Sequence, residues 1–297
     1  KEKILTETNQ NIDVFTFHKL AMHILKDKIE YKLASSNLLE YIVDEYFNSV
    51  SIDGKYTVIK YFNIFSTGLF ISKKYDKIDY KKIISLKRLI IKFIRLLKTN
   101  GYSYEKLSKF YRNKLKLKNY YFLKMVINIY DIYTNELKSN CELDFDDLIV
   151  LASRNIDKMD YKYIIVDEFQ DTSLIRFNLI NTITTKNNCK TFFVGDDFQS
   201  IYKFSGCNLD IMLNLDKYYN DLKVYKITNT YRNSEELIKI AGKFIMKNPK
   251  QIRKDLHSKK RLSRPIRIFN YSNYKKDFKK MLSIIPKKYK ILVLGRN

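Results

Sequence analysis

The pattern of apolar and polar residues changes character near residue 141. Before that point, apolar residues recur at helical spacing among lysines and tyrosines, which predicts an all-helical module over residues 26–140. The predicted helices of this module are 37–47, 80–98, 103–115 and 120–139. A shorter helix, with Thr16 available as its N-cap, is predicted ahead of the module. The module shows no catalytic spacing, and its polar faces are typical of solvated helix surfaces.

From residue 141 onward, short apolar runs alternate with polar turns and helical patterns. Residues 143–152 predict a helix with acidic residues in its first turn, where the helix dipole favours negative charge. The remaining predicted elements are buried strands at 163–166, 191–194 and 222–227 and helices from Thr172 or Ser173 to 183 and from 234 to 246. This alternation is typical of a parallel α/β sheet, in which ligands bind beyond the carboxyl ends of the strands. Two later runs, 266–269 and 291–294, predict the beginning of a second sheet.

The charge of the chain is large and unevenly distributed. The 297 residues include 56 Lys and Arg against 32 Asp and Glu, a formal net charge of +24. Residues 243–290 contain 17 Lys and Arg but only Asp255 and Asp277, whereas residues 141–176 contain nine acidic and four basic residues. A polyanion-binding surface beside an acidic metal site would have this distribution. Codon bias in an AT-rich genome would also enrich lysine, so both explanations stay open.

Composition excludes several classes of protein. The three cysteines are scattered at positions 141, 189 and 207, so they predict neither a disulfide framework nor a CxxC zinc site, and we expect a reducing compartment. Apolar runs such as 83–97 are interrupted by Lys and Arg residues, here four of them, which is too often for a membrane span of ~20 apolar residues. The sequence therefore predicts no membrane span, and its charged beginning lacks the apolar region of a signal peptide.

Two carboxylates follow the first predicted strand. Asp167 and Glu168 come directly after residues 163–166. Adjacent carboxylates at a strand tip can hold Mg²⁺ through water and accept a proton from an attacking water, both of which nucleoside triphosphate hydrolysis requires. Surface turns also end in acidic residues, so this feature alone does not decide between the two interpretations.

An amide and two aromatic side chains follow the second predicted strand. Gly195 allows the chain to turn after residues 191–194, and Gln199 offers an amide to a phosphate or a water. Tyr202 and Phe204 offer aromatic faces, which can stack on single-stranded bases for ~1–3 kcal/mol each when they are exposed. The alternative is that these rings fill the core beneath a loop.

Tyr231 and Arg232 follow the third predicted strand. An arginine at this position could neutralise charge on a γ-phosphoryl group. An acidic pair, a glutamine and an arginine at three successive strand ends are difficult to explain as accident.

The segments at these strand ends match an ordered set of motifs. The segments are VDEFQDTS at 166–173, VGDDFQSIYKFSG at 194–206 and NTYRNS at 229–234. In this order they resemble the motifs of UvrD/Rep-type superfamily 1 DNA helicases. The helicase IV branch is the most similar, through Phe-Ser-Gly at 204–206 and KNPKQIRK at 247–254. The resemblance also includes 16–21, 143–148 and 293–297, whereas 26–140 match only in position and helical character.

The resemblance implies ATP and Mg²⁺ as cofactors and a role for each matching residue. Asp167 would hold Mg²⁺ through water with Glu168 beside it, and Glu168 would polarise the attacking water. Gln199 would sense the γ-phosphate and pass its state to the neighbouring DNA contacts. Tyr231 would stack on adenine, and Arg232 would contact the γ-phosphate.

The implied DNA-binding residues lie in two of the matching segments. Thr16 and His18 would contact the phosphates of single-stranded DNA, and Tyr202 and Phe204 would contact its bases. His18 could instead be a buried histidine at the start of a helix, and Phe204 stands where many relatives have Trp. The implied partner is single-stranded DNA or a junction of single- and double-stranded DNA, in the cytoplasm and associated with the nucleoid.

The resemblance implies an incomplete RecA-like parallel sheet of the P-loop NTPase class, with an inserted all-helical subdomain. The first RecA-like domain would comprise residues 1–25 and 141–250, the insertion residues 26–140, and the linker and start of a second RecA-like domain residues 251–297.

One required motif departs from the family pattern. The chemistry needs a G-x-x-x-x-G-K-[ST] phosphate loop, and none of the seven glycines precedes Lys-Ser or Lys-Thr. We therefore interpret the chain as the central fragment of a 3′→5′ DNA helicase and expect the fragment alone not to hydrolyse ATP. The alternative is a natural short paralogue that serves as a nucleic-acid-binding or partner-binding module.

Overall fold

The computed structural model describes residues 6–7, 12–49, 51–65, 78–104, 106–107 and 117–295. The chain divides into two compact units, Lys1–Leu222 and Lys223–Asn297. The helices are α1 (Phe17–Leu25), α2 (Leu38–Asn48), α3 (Ile52–Phe65), α4 (Tyr80–Thr99), α5 (Leu117–Ser139), α6 (Phe145–Arg154), α7 (Leu174–Asn187), α8 (Leu209–Leu213), α9 (Glu235–Ile245) and α10 (Tyr274–Ile284). The strands are β1 (Lys32–Leu33), β2 (Glu142–Leu143), β3 (Tyr163–Val166) and β4 (Lys190–Phe193). Within the described ranges, no helix has the length and apolar character needed to cross a membrane.

Helices α2, α3, α4 and α5 pack around one apolar core and form the helical module. Residues fully withdrawn from solvent in this core include Val43, Ile90, Ile94, Met125 and Ile129. The predicted helices at 37–47, 80–98 and 120–139 are confirmed to within three residues at each end. Most of the predicted helix 103–115 lies outside the described residues, and α3 was not predicted.

The module is not purely helical at its boundaries. Strand β1 pairs in parallel with β2, with Lys32 opposite Glu142 and Leu33 opposite Leu143. This pairing joins the chain where it enters the module to the chain where it leaves. A strand of two residues is too short to produce an alternating pattern, which explains why the sequence did not reveal it.

Strands β3 and β4 form a second parallel pair, connected through α7. One face of this pair packs on α7 and α8, where Val166, Phe177, Ile180 and Ile211 are buried. The sequence predicted strands buried on both faces, and this is wrong for the described structure. On the other face Tyr163, Ile165, Phe192 and Val194 are exposed by 49–70%. Successive side chains of a strand point to opposite faces, so helices on one side cover only half of them.

The other predicted strands are not strands in the described residues. Residues 222–227 form no regular secondary structure, and Val224 and Ile227 are largely exposed. Just after it, the Thr230 N–H donates to the carbonyl oxygen of His257 and the His257 N–H donates to that of Thr228. The runs 266–269 and 291–294 also form no strand. Apolar composition gives a segment a preference for strand, but the ladder requires a neighbouring strand to accept and donate its hydrogen bonds.

A buried lysine fastens the helical module to α6. The Lys98 side chain is 5% exposed, and its Nζ lies 2.6 Å from Asp144 Oδ2 and 2.7 Å from Asp147 Oδ2. The Tyr133 hydroxyl of α5 donates to Asp144 Oδ2 at 2.7 Å. Asp144 is also the N-cap of α6, because its Oδ1 accepts from the backbone N–H groups of Asp146 and Asp147. One carboxylate thus holds α4, α5 and the start of α6 together.

The charges in this cluster stabilise one another. Burial would lower the pKa of Lys98, but the carboxylates of Asp144 and Asp147 raise it above its usual value. Burial would likewise raise the pKa of Asp144, but the ammonium group of Lys98 brings it below its usual value. A carboxylate with a lowered pKa stabilises the fold above its unfolded pKa, and this contribution is lost as the pH falls through its folded pKa.

We expect Lys98→Met to lower the free energy of unfolding by ~3–5 kcal/mol at pH 7, because it leaves two partly buried carboxylates without their cation. The deficit should shrink toward pH 4, where those carboxylates become protonated in the folded variant. Urea unfolding at both pH values measures the effect. Lys87→Met is the control on the same helix. Its ion pair with the largely exposed carboxylate of Asp44 should contribute at most ~1 kcal/mol. Equal stability of Lys98→Met and Lys87→Met would contradict this account.

Candidate functional site

The parallel ladder brings two strand ends to one edge. Val166 lies opposite Phe193, and the ladder continues past the ends of the two strands. The Val194 N–H donates to the carbonyl oxygen of Val166 at 2.9 Å, and the Phe169 N–H donates to that of Val194 at 2.8 Å. The segment beginning at Asp167 and the segment beginning at Gly195 therefore leave the sheet side by side. This arrangement confirms that the first two strands end at a common edge, as the sequence predicted.

Asp167 and Glu168 are both exposed at this edge. The Glu168 backbone N–H donates to Asp167 Oδ1 at 2.9 Å. Glu168 has a φ of 48°, in the left-handed region that costs a residue with a side chain about 1–3 kcal/mol. The turn thus presents both carboxylates to solvent immediately beyond the strand. Among the described residues, no group of three or more His, Cys, Asp or Glu side chains is placed to hold a metal ion.

The amide of Gln170 connects this pair to the second strand end. The Gln170 side chain is buried, with 2% of the residue exposed. Its Nε2 donates to Glu168 Oε2 at 2.7 Å, and its Oε1 accepts from the backbone N–H of Asp196 at 3.0 Å. Both ends of one planar amide are therefore engaged, one on each strand end.

The connection continues to Gln199. Asp196 Oδ2 accepts from Gln199 Nε2 at 2.8 Å, and Asp196 Oδ1 accepts from the Phe198 N–H at 3.1 Å. A series of hydrogen bonds therefore runs from Glu168 through Gln170 and Asp196 to Gln199. We call this series the amide relay. Gln170 and Asp196 were not singled out from the sequence, although an amide two positions after Glu168 was visible there.

Tyr202 and Phe204 lie in the loop after Gln199. They are 45% and 59% exposed, and their ring centroids are 6.0 Å apart. The ammonium group of Lys92, on α4, lies 5.8 Å from the centre of the Phe204 ring. The alternative that these rings fill the core is therefore wrong, because both are accessible to solvent.

The same loop rests on the end of α4. Gly206 has a φ of 95°, and a Cβ added there would lie 2.8 Å from Thr99 Cβ. Lys92 and Thr99 both belong to α4, so this helix of the module contacts the loop at two points. The loop after Gln199 is thus held between the strand edge and the helical module.

Thr16 and His18 lie at the beginning of α1. The Thr16 hydroxyl accepts from the Lys19 N–H at 3.3 Å, which confirms the predicted N-cap. His18 is half-buried with its ring edge against Phe145, at 4.9 Å between centroids. Burial, together with the positive charge of Arg176, holds the pKa of His18 below its usual value. The lowered pKa favours the neutral imidazole, which offers a hydrogen bond and no charge.

Tyr231 and Arg232 belong to the second compact unit, in the loop before α9. Tyr231 is 72% exposed, and Arg232 is also exposed. The Ser234 hydroxyl caps α9 by accepting from the Leu237 N–H, as predicted for a helix beginning at this serine. The relay residues all belong to the first unit.

A comparison with protein families decides the assignment. The family described as the UvrD/REP helicase N-terminal domain matches residues 1–220. The chain belongs to the UvrD/REP helicase family. The match includes the helical module and both strand ends of the candidate site.

Individual relatives of this UvrD/REP-family chain match at modest identity. A probable DNA helicase II homolog of Mycoplasma capricolum is 38% identical over 129 residues, which are 40% of this chain and 18% of that protein. ATP-dependent DNA helicase Rep of Buchnera aphidicola from Baizongia pistaciae is 29% identical over 273 residues, 87% of this chain and 36% of the relative. DNA helicase IV of Escherichia coli is 32% identical over 141 residues, 46% of this chain and 21% of the relative. The matches thus span well under half of these relatives, and assignment to the helicase IV branch stays a prediction.

We expect Gly195→Ala to destabilise the UvrD/REP-family chain by ~1–3 kcal/mol. A Cβ at this position would lie 2.7 Å from Gln170 Oε1 and 3.1–3.2 Å from two backbone nitrogen atoms, which cannot move aside as a flexible side chain would. Gly242→Ala is the matched control, because nothing lies within 4 Å of its Cβ and alanine favours a helix by ~0.5–1 kcal/mol. Thermal unfolding followed by circular dichroism compares the two, and an unchanged melting temperature for Gly195→Ala would contradict the close packing described.

Proposed function

We propose that the protein containing this chain is an ATP-dependent DNA helicase and that the chain supplies part of its motor. Relatives from Buchnera, Escherichia coli and Bacillus subtilis are named ATP-dependent DNA helicase Rep or PcrA. The observation that carries the proposal is the amide relay, which joins the acidic pair at one strand end to Gln199 at the next. A motor must link ATP hydrolysis to a change in its DNA contacts, and the relay runs into the loop that bears the exposed aromatic rings.

The acidic pair suits the nucleotide half of this function. Mg²⁺ is usually held by one or two carboxylates together with water and substrate phosphates, and two exposed adjacent carboxylates match that requirement. Asp167 would hold the metal through water, and Glu168 would accept the proton of the attacking water. Gln199 would hydrogen-bond the γ-phosphate. In the second unit, Tyr231 would stack on adenine and Arg232 would neutralise phosphate charge. Bound MgATP supplies the phosphoryl group and the charge that these side chains act on.

The DNA half of the function rests on exposed groups. Tyr202 and Phe204 present accessible aromatic faces to the bases of single-stranded DNA. The Thr16 hydroxyl and the neutral His18 imidazole, at the N-terminus of α1, would hydrogen-bond backbone phosphates. The basic segment 243–290 would add charge attraction that weakens with salt. We extend the proposal to single-stranded or junction DNA, 3′→5′ movement and the RecA-like organisation with the domain boundaries given above.

The 297 residues alone are proposed not to hydrolyse ATP, because they contain no G-x-x-x-x-G-K-[ST] segment. The competing function is a module that binds nucleic acid or a protein without hydrolysis. The presence of Asp167, Glu168, Gln199 and Arg232 together favours the motor, since binding alone has no need for a carboxylate that accepts a proton.

In the complete protein, Glu168→Gln should retain ATP binding and lower the turnover number by ~10²–10⁴, because it preserves size and hydrogen bonding but removes the base. Steady-state ATP hydrolysis with and without single-stranded DNA measures this. Glu45→Gln, on the exposed face of α2, is the control and should match the wild type. Turnover by Glu168→Gln at the wild-type rate would refute the assigned role, and DNA binding by a wild-type protein without ATP hydrolysis would indicate the binding module.

Phe204→Ala in the complete protein should weaken binding of single-stranded DNA by ~1–3 kcal/mol and leave the melting temperature nearly unchanged, since the ring is mostly exposed. Phe204→Trp should preserve affinity. Ile201→Ala is the matched control, because it removes an equally exposed apolar side chain of the same loop that has no aromatic face. DNA affinity by fluorescence anisotropy decides the matter, and equal affinities for Phe204→Ala and Ile201→Ala would contradict stacking.

A further inference from the structure

The amide of Gln170 occupies an unusual position among the polar groups of the site. The side chain is nearly inaccessible to solvent, yet both of its polar atoms are hydrogen-bonded. Nε2 donates to Glu168 Oε2, and Oε1 accepts from the backbone N–H of Asp196. A buried amide with both ends hydrogen-bonded is fixed in orientation, because rotating it would place like groups against each other.

Glu168 depends on this contact for its orientation. Its carboxylate is exposed, so packing alone does not define its position, and its backbone lies in the left-handed region. The hydrogen bond from Gln170 Nε2 at 2.7 Å is therefore a defined restraint on Glu168 Oε2.

The other end of the amide sets the position of Asp196. The backbone of Asp196 is held by Gln170, and its side chain holds the amide of Gln199. A shift of Gln199 would therefore be transmitted to Glu168 through the hydrogen bonds of Asp196 and Gln170. Gly195 permits this contact, because any side chain there would displace Gln170 Oε1.

We infer that Gln170 is a positioning residue that orients the Glu168 carboxylate for hydrolysis and ties that orientation to the state of Gln199. This inference rests on the proposed function, since it requires Glu168 to act on a water molecule. Because Gln170 is buried, it would act through Glu168 and Asp196 and not through direct contact with nucleotide or DNA. Its effect is that hydrolysis is fast only when the segment after the second strand is in place.

The first test is Gln170→Ala in the complete protein. It should lower the DNA-stimulated turnover number about 10- to 100-fold, as small displacements of a catalytic group do, while the KM for ATP changes less than about threefold. In a Gln199→Ala background the same substitution should have little further effect, because both variants interrupt one relay. The matched control is Asn178→Ala, which removes an exposed amide from α7. Turnover by Gln170→Ala within twofold of this control, or independent effects of the two glutamine substitutions, would overturn the inference.

The second test is Gln170→Glu, which keeps the shape of the side chain and so guards against misfolding of the alanine variant. It replaces the Nε2 donor with a carboxyl oxygen, which when ionised cannot donate to Glu168 Oε2 and repels that carboxylate.

The turnover number of Gln170→Glu should therefore fall about 10- to 100-fold, as for Gln170→Ala, while the KM for ATP changes less than about threefold. Turnover is expressed per folded molecule, with the folded fraction measured by circular dichroism, so that misfolding does not enter the comparison. Wild-type turnover by folded Gln170→Glu would overturn the inference. Failure of the proposed function would be seen separately, as Glu168→Gln turning over ATP at the wild-type rate.

Discussion

The parallel pairing of β3 with β4 is the constraint on which the candidate site depends. Because Val166 lies opposite Phe193 and the ladder continues to Phe169, the two polar segments must leave the sheet together. A shift of register by one residue would move Asp196 away from Gln170 and turn the apolar side chains of the strand to the other face. The core formed by Val166, Phe177 and Ile211 thus also fixes the amide relay.

The C-terminal half of helix α4 connects the helical module to the rest of the first unit. Lys98 anchors its last turn to the N-terminus of α6, while Lys92 and Thr99 contact the loop of Phe204 and Gly206. The module is therefore attached to the rest of the first unit by buried charge as well as by the short β1–β2 pair. In a DNA motor such an arrangement would let the module and the aromatic loop move together.

Some of this was accessible from sequence because it depends on local pattern. Periodicity and capping are enough to predict the strand at 163–166, the polar residues at the strand ends and the helices that begin near Thr16 and Asp144. The prediction of a strand at 222–227 is wrong because a ladder needs a neighbouring strand, which composition does not reveal. Helices α3 and α10 were missed, although both contain apolar residues at helical spacing and α10 begins at an Asn273 cap.

The relay itself was inaccessible to sequence reasoning for a different reason. Gln170 and Asp196 are 26 positions apart, and only the register of β3 and β4 brings them together. Lys98 and Asp144 are likewise joined through tertiary packing, and a buried lysine cannot be distinguished from its solvated neighbours in a basic helix. Phe204 could be either core or surface by sequence, and the exposure of its ring decided between these alternatives.

The most direct test of the central claim is a crystal structure of the complete protein with Mg²⁺, ADP and aluminium fluoride as a mimic of the hydrolysing γ-phosphate. The account predicts the fluoride group at the common edge of β3 and β4, with the Gln199 amide in hydrogen-bond contact. It also predicts Asp167 in the water shell of Mg²⁺ and Glu168, still bonded to Gln170, against the attacking water. Phosphate mimics bound away from this edge would contradict it.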